Sequence, residues 1–368
     1  MYPLGMSLGL KFALRASSLA AFPPSVAISV ALRAPHGGRV IPFRRSLSTS
    51  HGSQYFPLQR SYLYVPAASD RLLAKSLSFD IPPDIVIYDL EDSVPPSAQD
   101  KHNARRRLCH FLNSIPPDKV PTPKRVAVRV NDVTTPFFES DISEILKSPA
   151  VGTLVLPKIH STEDLDHVSR AIHEHSTSSC PPRIVASIES ARSVWNLREI
   201  VQWKSKFGAQ KGGQLGALLF ASEDYCADTS VVRTTSRQEL LFVRSQIVIA
   251  AKASGLEAID MVCIDYKDSG YLRDECEDAR RLGFTGKQVI HPAQVEIVNA
   301  TFLPTEKEIL RAAKIIHRMD AAYASEKGAF GLEAEDGGKE MIDAPMLKQA
   351  KNTIRLARAA GLEIPKVS

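Results

Sequence analysis

The chain's 368 residues are 44% hydrophobic and 24% charged, an ordinary balance for a folded globular protein. Its net charge of +5 sits in residues 1–50, where Lys11, Arg15, Arg33, Arg39, Arg44 and Arg45 stand without an acid; the remainder carries −1 (+5 less +6), which gives no electrostatic basis for binding nucleic acid. Cys109, Cys180, Cys226, Cys263 and Cys276 are dispersed with no Cys-x-x-Cys pair, which argues against a disulfide framework and a structural zinc site, and no charge-free span reaches transmembrane length.

The first acidic residue is Asp70. The acid-free start, rich in Arg, Ser and Ala, reads as a mitochondrial transit peptide and leader over residues 1–55. Phe43-Arg44-Arg45-Ser46-Leu47-Ser48 is its expected processing region, because arginine commonly lies just before such cuts. The mitochondrial matrix is then the destination, a reducing compartment that suits scattered thiols.

Beyond residue 60, strand-like apolar runs alternate with helical periodicity. Strands are expected over 62–65, 84–89, 125–130, 151–156, 183–188, 215–220, 258–264 and 287–290. The helices expected between them are 70–79 behind Ser69 as N-cap, a basic amphipathic 98–112, 163–175 behind Ser161 or Thr162, 191–203, 237–253 ended by Gly255, and 270–282 ended by Gly283. Most of the strands are apolar on both faces, as a parallel sheet covered by helices requires. Such units predict an α/β fold, a (β/α)8 TIM barrel over residues 56–300. An open doubly wound sheet would more often carry a Gly-rich first turn, and Pro66-Ala67-Ala68-Ser69 has no G-x-G-x-x-G. Two more helices, 306–325 and 346–360, flank a Gly-rich linker at 328–338 and form a C-terminal helical extension over 301–368.

The chemistry is written where the strands end. Tyr64, Asp89-Leu90-Glu91-Asp92, Arg129 with Asn131, Lys158, Glu189, Glu223-Asp224, Asp265 and His291 all follow apolar runs. In a barrel these ends converge on one mouth, where active sites lie. Glu189 and Asp224 end consecutive strands, roughly 5 Å apart, so both carboxylates can reach one hard cation such as Mg²⁺, which takes only one or two protein carboxylates. The competing reading pairs them with Arg129 or Lys158 as salt bridges at the mouth. Arg129 suits stabilisation of negative charge on a thioester or carboxylate oxygen, and equally a structural pairing with Glu91 or Asp92. Arg71 and Lys75, four apart on a helix, share a face that suits phosphates or plain solvation.

Taken in order, several short motifs form one pattern: Arg60-Ser61-Tyr62-Leu63-Tyr64-Val65-Pro66, Asp89-Leu90-Glu91-Asp92-Ser93-Val94, Val128-Arg129-Val130-Asn131, Leu156-Pro157-Lys158, Ile188-Glu189-Ser190-Ala191, Ser222-Glu223-Asp224, Gly286-Lys287-Gln288-Val289-Ile290-His291-Pro292 and Met341-Ile342-Asp343. The set resembles the citrate lyase β-subunit-like branch of the HpcH/HpaI aldolase superfamily over nearly all of residues 60–360. The resemblance implies a (β/α)8 barrel with a C-terminal arm, assembled as a homotrimer or a dimer of trimers. It also implies Mg²⁺-dependent making or breaking of carbon–carbon bonds between acyl-CoA esters and small keto or hydroxy acids, with no nucleic-acid or membrane partner.

Carried onto matching positions, the resemblance makes Glu189 and Asp224 the metal ligands and places Arg129 on the substrate oxygens. It puts Tyr64, Arg71 and Lys75 along the coenzyme A path, and Glu91, Asp92 and Lys158 around the metal site in support. Asp343 becomes the general acid/base, arriving from a neighbouring subunit. Two features depart from the pattern. Ala67 and Ala221 stand where glycine is common, Ala221 narrowing the site beside the metal. The arm motif Gly338-Lys339-Glu340-Met341-Ile342-Asp343 is one residue longer than the usual Gly-Lys-Met-Ile-Asp. A malyl-CoA lyase or thioesterase, a citrate lyase β-subunit-like citryl lyase and a catalytically silent CoA-ester-binding subunit are the alternatives.

Overall fold

Eight parallel strands close into a barrel in chain order: β1 (Ser61–Pro66), β2 (Ile85–Asp89), β3 (Val126–Arg129), β4 (Thr153–Leu156), β5 (Arg183–Ile188), β6 (Gln214–Phe220), β7 (Glu257–Asp260) and β8 (Gly286–Val289). β8 returns to β1 with Lys287 opposite Ser61, so no sheet edge remains. This is a (β/α)8 TIM barrel. The computed structural model describes residues 58–116, 121–178, 181–324, 330–333 and 339–367; the expected leader, its processing region and Cys180 lie outside them.

Alternation along each strand explains the apolar runs on both faces. Tyr62, Ile85, Ile87, Ala127, Val155, Val185, Leu219 and Ile259 fill the barrel interior. Leu63, Tyr88, Val128, Leu154, Ile184 and Phe220 point outward into the layer shared with the helices. The floor of the barrel is polar. Arg183 reaches across it, donating to Glu257 at 2.8 Å and to the Gly216 carbonyl at 2.8 Å. Residue 216 has no side chain because a Cβ there would lie 2.1 Å from Arg183 Nε.

Local signals act where expected. Ser69 caps the helix Asp70–Lys75, Ser161 and Asp164 form a capping box on Thr162–His175, and Gly283 ends Ser269–Leu282 with φ +102°. The helix expected over 191–203 is two pieces, Ala191–Trp195 and Leu197–Gln202, broken at Asn196, whose side chain donates to the His160 carbonyl at 2.9 Å. Four short helices among the described residues, Phe138–Ile145, Ala209–Gly212, Ser222–Thr229 and Val295–Thr301, fall outside the expected set, and none has a side-chain N-cap hydrogen bond. The seventh strand stops at Asp260, short of the expected 264.

The C-terminal arm packs helix Glu306–Ala324 against Ala344–Ala359 through Ile309, Ile315, Ile354 and Ala357. Part of the expected Gly-rich linker is a strand, β9 (Phe330–Glu333), which pairs antiparallel with β10 (Lys339–Ile342), and the rest of the linker lies outside the described residues. Phe330, Leu332, Met341 and Ile342 favour extended backbone, and the glycine content of the segment masks that preference in sequence. The last helix begins at Asp343. It ends at Ala359 and Ala360, which line a cleft of about 370 Å³ with Gln59, Arg60, Asp84 and Arg125 at the N-terminal end of the barrel. Among the described residues no helix is long and apolar enough to cross a membrane.

Candidate active site

Strand pairing sets Asp89 opposite Arg129 on β2 and β3. Their side chains form a two-pronged ion pair, both contacts 2.7 Å. Burial alone would raise the Asp89 carboxyl, but the guanidinium outweighs it and holds Asp89 below its ordinary range. Asp89 also accepts the amides of Glu91 and Ser93, folding Asp-Leu-Glu-Asp into a tight turn. That turn brings Glu91 and Asp92 to Arg129 Nη1, each at 3.0 Å. One guanidinium thus faces three carboxylates, and it stacks 4.9 Å from the Tyr64 ring centre. The Tyr64 hydroxyl donates to Gln288 at 3.0 Å.

The chain is strained two residues past the end of β4. Lys158 has φ +52°, the left-handed region that non-glycine residues rarely occupy. In that conformation its amide donates to Glu189 Oε1 at 2.7 Å while its Nζ reaches Glu91 Oε1 at 3.0 Å. Ser187 Oγ donates to the other Glu189 oxygen at 2.6 Å. Burial nevertheless lifts Glu189 to about 7, with repulsion from Asp224 adding to the rise against the Ser187 hydrogen bond. Asp224 is raised too, by burial and then by repulsion from Asp92.

Among the described residues neither Glu189 nor Asp224 lies within salt-bridge distance of a cation, although Lys158 and Arg129 stand near enough to temper the rise of Asp224, so the salt-bridge arrangement is not the one adopted. Two partly desolvated carboxylates that repel one another fit a hard divalent cation, and two suffice when water and substrate oxygens complete the shell. No group of three or more His, Cys, Asp or Glu poised around one ion occurs among the described residues.

Other expected site residues serve elsewhere. Asn131 is locked onto Asp141 at 2.6 Å, which in turn pairs with Arg105 at 2.7 Å. Asp265 accepts the Lys267 amide at 3.1 Å in a turn, and His291 Nδ1 accepts the Ala293 amide at 3.2 Å. Glu223 binds Arg233 rather than facing the mouth carboxylates. Arg71 and Lys75 are exposed on their helix, with no carboxylate partner among the described residues. Asp343 caps the last helix, accepting the Met346 amide at 3.4 Å, and no described contact joins it to the barrel mouth of its own chain.

Sequence reasoning missed Lys101. Its buried ammonium donates to the carbonyls of Leu90 at 3.0 Å and Glu91 at 2.8 Å, holding the acidic turn from beneath. The signal was present: Lys101, Ala104, Arg105 and Leu108 follow the spacing of the buried face of helix Ala98–Ser114.

The family described as HpcH/HpaI aldolase/citrate lyase has a sequence model that matches residues 60–292. A mitochondrial citramalyl-CoA lyase of Homo sapiens is 34% identical over 318 residues, covering 85% of this chain and 89% of that protein. A citrate lyase subunit beta-like protein of Deinococcus radiodurans is 33% identical over 307 residues, covering 81% of this chain and 96% of its own length. Among solved structures, the protein CitE from Mycobacterium tuberculosis in complex with magnesium, acetoacetate and coenzyme A superposes with a TM-score of 0.61 at 30% identity, covering 83% of this chain and 98% of that one.

Proposed function

The chain belongs to the HpcH/HpaI aldolase/citrate lyase family, and from that premise we propose that it is a Mg²⁺-dependent carbon–carbon lyase that cleaves citramalyl-CoA to acetyl-CoA and pyruvate in the mitochondrial matrix. The observation that carries this reading is the Glu189–Asp224 pair: Glu189 buried, Asp224 half-buried, the two repelling one another, and neither in a salt bridge among the described residues. The substrate choice is supported by the likeness to the human citramalyl-CoA lyase, and the location by that relative's name and the acid-free leader.

Glu189 and Asp224 would hold Mg²⁺, which when bound acts as a Lewis acid on the oxygens of the small acid. Arg129 is held by Asp89, Glu91 and Asp92 and retains an Nη2 hydrogen outside those contacts. That hydrogen would be offered to the thioester oxygen, where charge develops as the carbon–carbon bond breaks and acetyl-CoA leaves as its enolate. Asp343 from a neighbouring subunit of a homotrimer, or of a dimer of trimers, would take the hydroxyl proton and return it to the enolate carbon. Its cap contact engages only Oδ1. Tyr64 would pack beside the thioester, with Arg71 and Lys75 exposed for the coenzyme A phosphates.

A malyl-CoA substrate differs by one methyl group, a distinction worth about 1–3 kcal/mol in a pocket. The test is acetyl-CoA release from citramalyl-CoA and from malyl-CoA, each with and without Mg²⁺. Faster Mg²⁺-dependent release from citramalyl-CoA is expected. Faster release from malyl-CoA would replace the substrate, free acid appearing as coenzyme A is liberated would indicate a thioesterase, and no release from either would remove the lyase assignment.

A further inference from the structure

We propose that Arg233 is a positioning residue for Asp224, fixing the first turn of helix Ser222–Thr229 against the chain that follows β7. The proposal rests on the reading of Asp224 as a metal ligand. That helix presents Asp224 from its first turn, yet its N-cap is Ala221, which has no side-chain oxygen to anchor the turn.

Arg233 anchors it from outside. Its Nη1 donates to Ser222 Oγ at 3.1 Å and to the Glu223 carboxylate. Its Nη2 donates to the Val262 carbonyl at 3.0 Å and to Glu275 at 2.8 Å. One planar group, 11% exposed, therefore joins the turn carrying Asp224, the segment beyond β7 and the buried acid of helix Ser269–Leu282. The fixed fork of a guanidinium sets the distance and angle between these elements, which a flexible ammonium does not.

The loop that delivers Arg233 is held at both ends. Ser230 and Arg237 both adopt left-handed backbone, φ +58° and +60°. Arg237 pairs with Asp274 at 2.6 Å and lies over the Tyr271 ring at 5.5 Å. This network includes none of the residues proposed to hold substrate or metal. Its output is the orientation of one carboxylate, and groups that orient metal ligands commonly change affinity by 10- to 100-fold when removed.

The experiment measures Mn²⁺ binding to the full chain by electron paramagnetic resonance, alongside thermal melting. The variants are Asp224→Asn, Arg233→Met, Arg233→Lys, Glu223→Gln and Arg237→Lys. Asp224→Asn is expected to lose the ion. Arg233→Met is expected to weaken Mn²⁺ binding about tenfold or more, with partial recovery in Arg233→Lys. Glu223→Gln alters only a half-exposed side chain and should weaken binding in the same direction even if Arg233→Met fails to fold. Arg237→Lys should lower the melting temperature and weaken Mn²⁺ binding far less than Arg233→Met does. Parent-like affinity in both Arg233→Met and Glu223→Gln, or losses that follow melting temperature equally in Arg237→Lys, would overturn the role of Arg233 and leave Asp224 a ligand. Undiminished binding in Asp224→Asn would overturn the ligand reading and this proposal with it.

Discussion

The main-chain amide of Lys158 donates to Oε1 of Glu189 at 2.7 Å from a backbone held at φ +52°. The strain of that conformation, about 1 kcal/mol for a non-glycine residue, is thus spent at the carboxylate proposed to hold the metal. Lys158→Gly keeps the amide and relieves the strain while deleting a half-exposed ion pair worth about 0.5 kcal/mol. It should melt within about 1 kcal/mol of the parent and retain Mg²⁺ affinity within about threefold (about 0.6 kcal/mol), as titration calorimetry would read. A much larger loss of affinity would mean that the Nζ contact to Glu91, rather than the amide, holds Glu189 in place.

Glu189→Gln should abolish turnover and, in the metal-free chain, raise stability. The folded-state pKa of Glu189 is about 7 and its ordinary value 4.5. Between the two the folded state keeps a proton that the unfolded chain has released, so stability falls as pH rises through that window and the full penalty applies above it. Removing the charge should recover about 2–3 kcal/mol at pH 8, visible as a higher melting temperature in chelator. Full activity in the variant would dismiss Glu189 as a ligand, and an unchanged melting temperature would dismiss the burial penalty.

Asparagine caps a helix as well as aspartate, so Asp343→Asn should leave stability within about 0.5 kcal/mol. If Asp343 moves the proton, the same variant should lose turnover by about 100-fold or more. Because Asp343 is proposed to serve a neighbour's mouth, mixed assemblies of Asp343→Asn and Glu189→Gln subunits should regain part of the parent rate. A mixture as inactive as its components would place the acid/base group elsewhere.

Lys287, fully buried on β8, contacts Glu275 at 3.0 Å and Asp260 at 3.6 Å, and Asp260 also receives Arg244. Burial would raise both acids, but Lys287 and the arginines outweigh it and hold them below their ordinary values. Depressed carboxyls contribute stability that is present above the unfolded pKa values, near pH 4, and lost as pH falls through the folded ones. Urea unfolding followed across pH 2–7 should therefore show its steepest loss below about pH 4. Lys287→Met leaves two acids undercompensated and should cost about 3–5 kcal/mol at neutral pH. A cost under 1 kcal/mol would show that the arginines alone neutralise the cluster.

The barrel was legible because its strands are apolar on both faces, a pattern that survives without any tertiary knowledge. Position along the strands was legible too: Asp89, Arg129, Lys158 and Glu189 all stand at or just past strand ends. What the polar residues do there was not. Asn131, Asp265 and His291 have the same address in sequence and spend their hydrogen bonds on local structure. Gly286-Lys287-Gln288 reads as a signature, yet Gly286 is there because a Cβ would meet the Arg60 carbonyl at 2.6 Å, Lys287 for the buried acids, and Gln288 for Tyr64. Long-range partners such as Lys101 under the acidic turn, or Arg233 between Glu223 and Glu275, depend on how distant segments meet, which periodicity does not encode. The β9–β10 pairing was hidden because each strand is only four residues long and the stretch 328–338 reads as glycine-rich in sequence.

Tyr62, Ile87, Val155 and Ile259 plug the barrel above the floor where Arg183 meets Glu257, so the upper rim opens onto a packed core and not a passage. Whatever enters at the upper rim has to depart by the same opening.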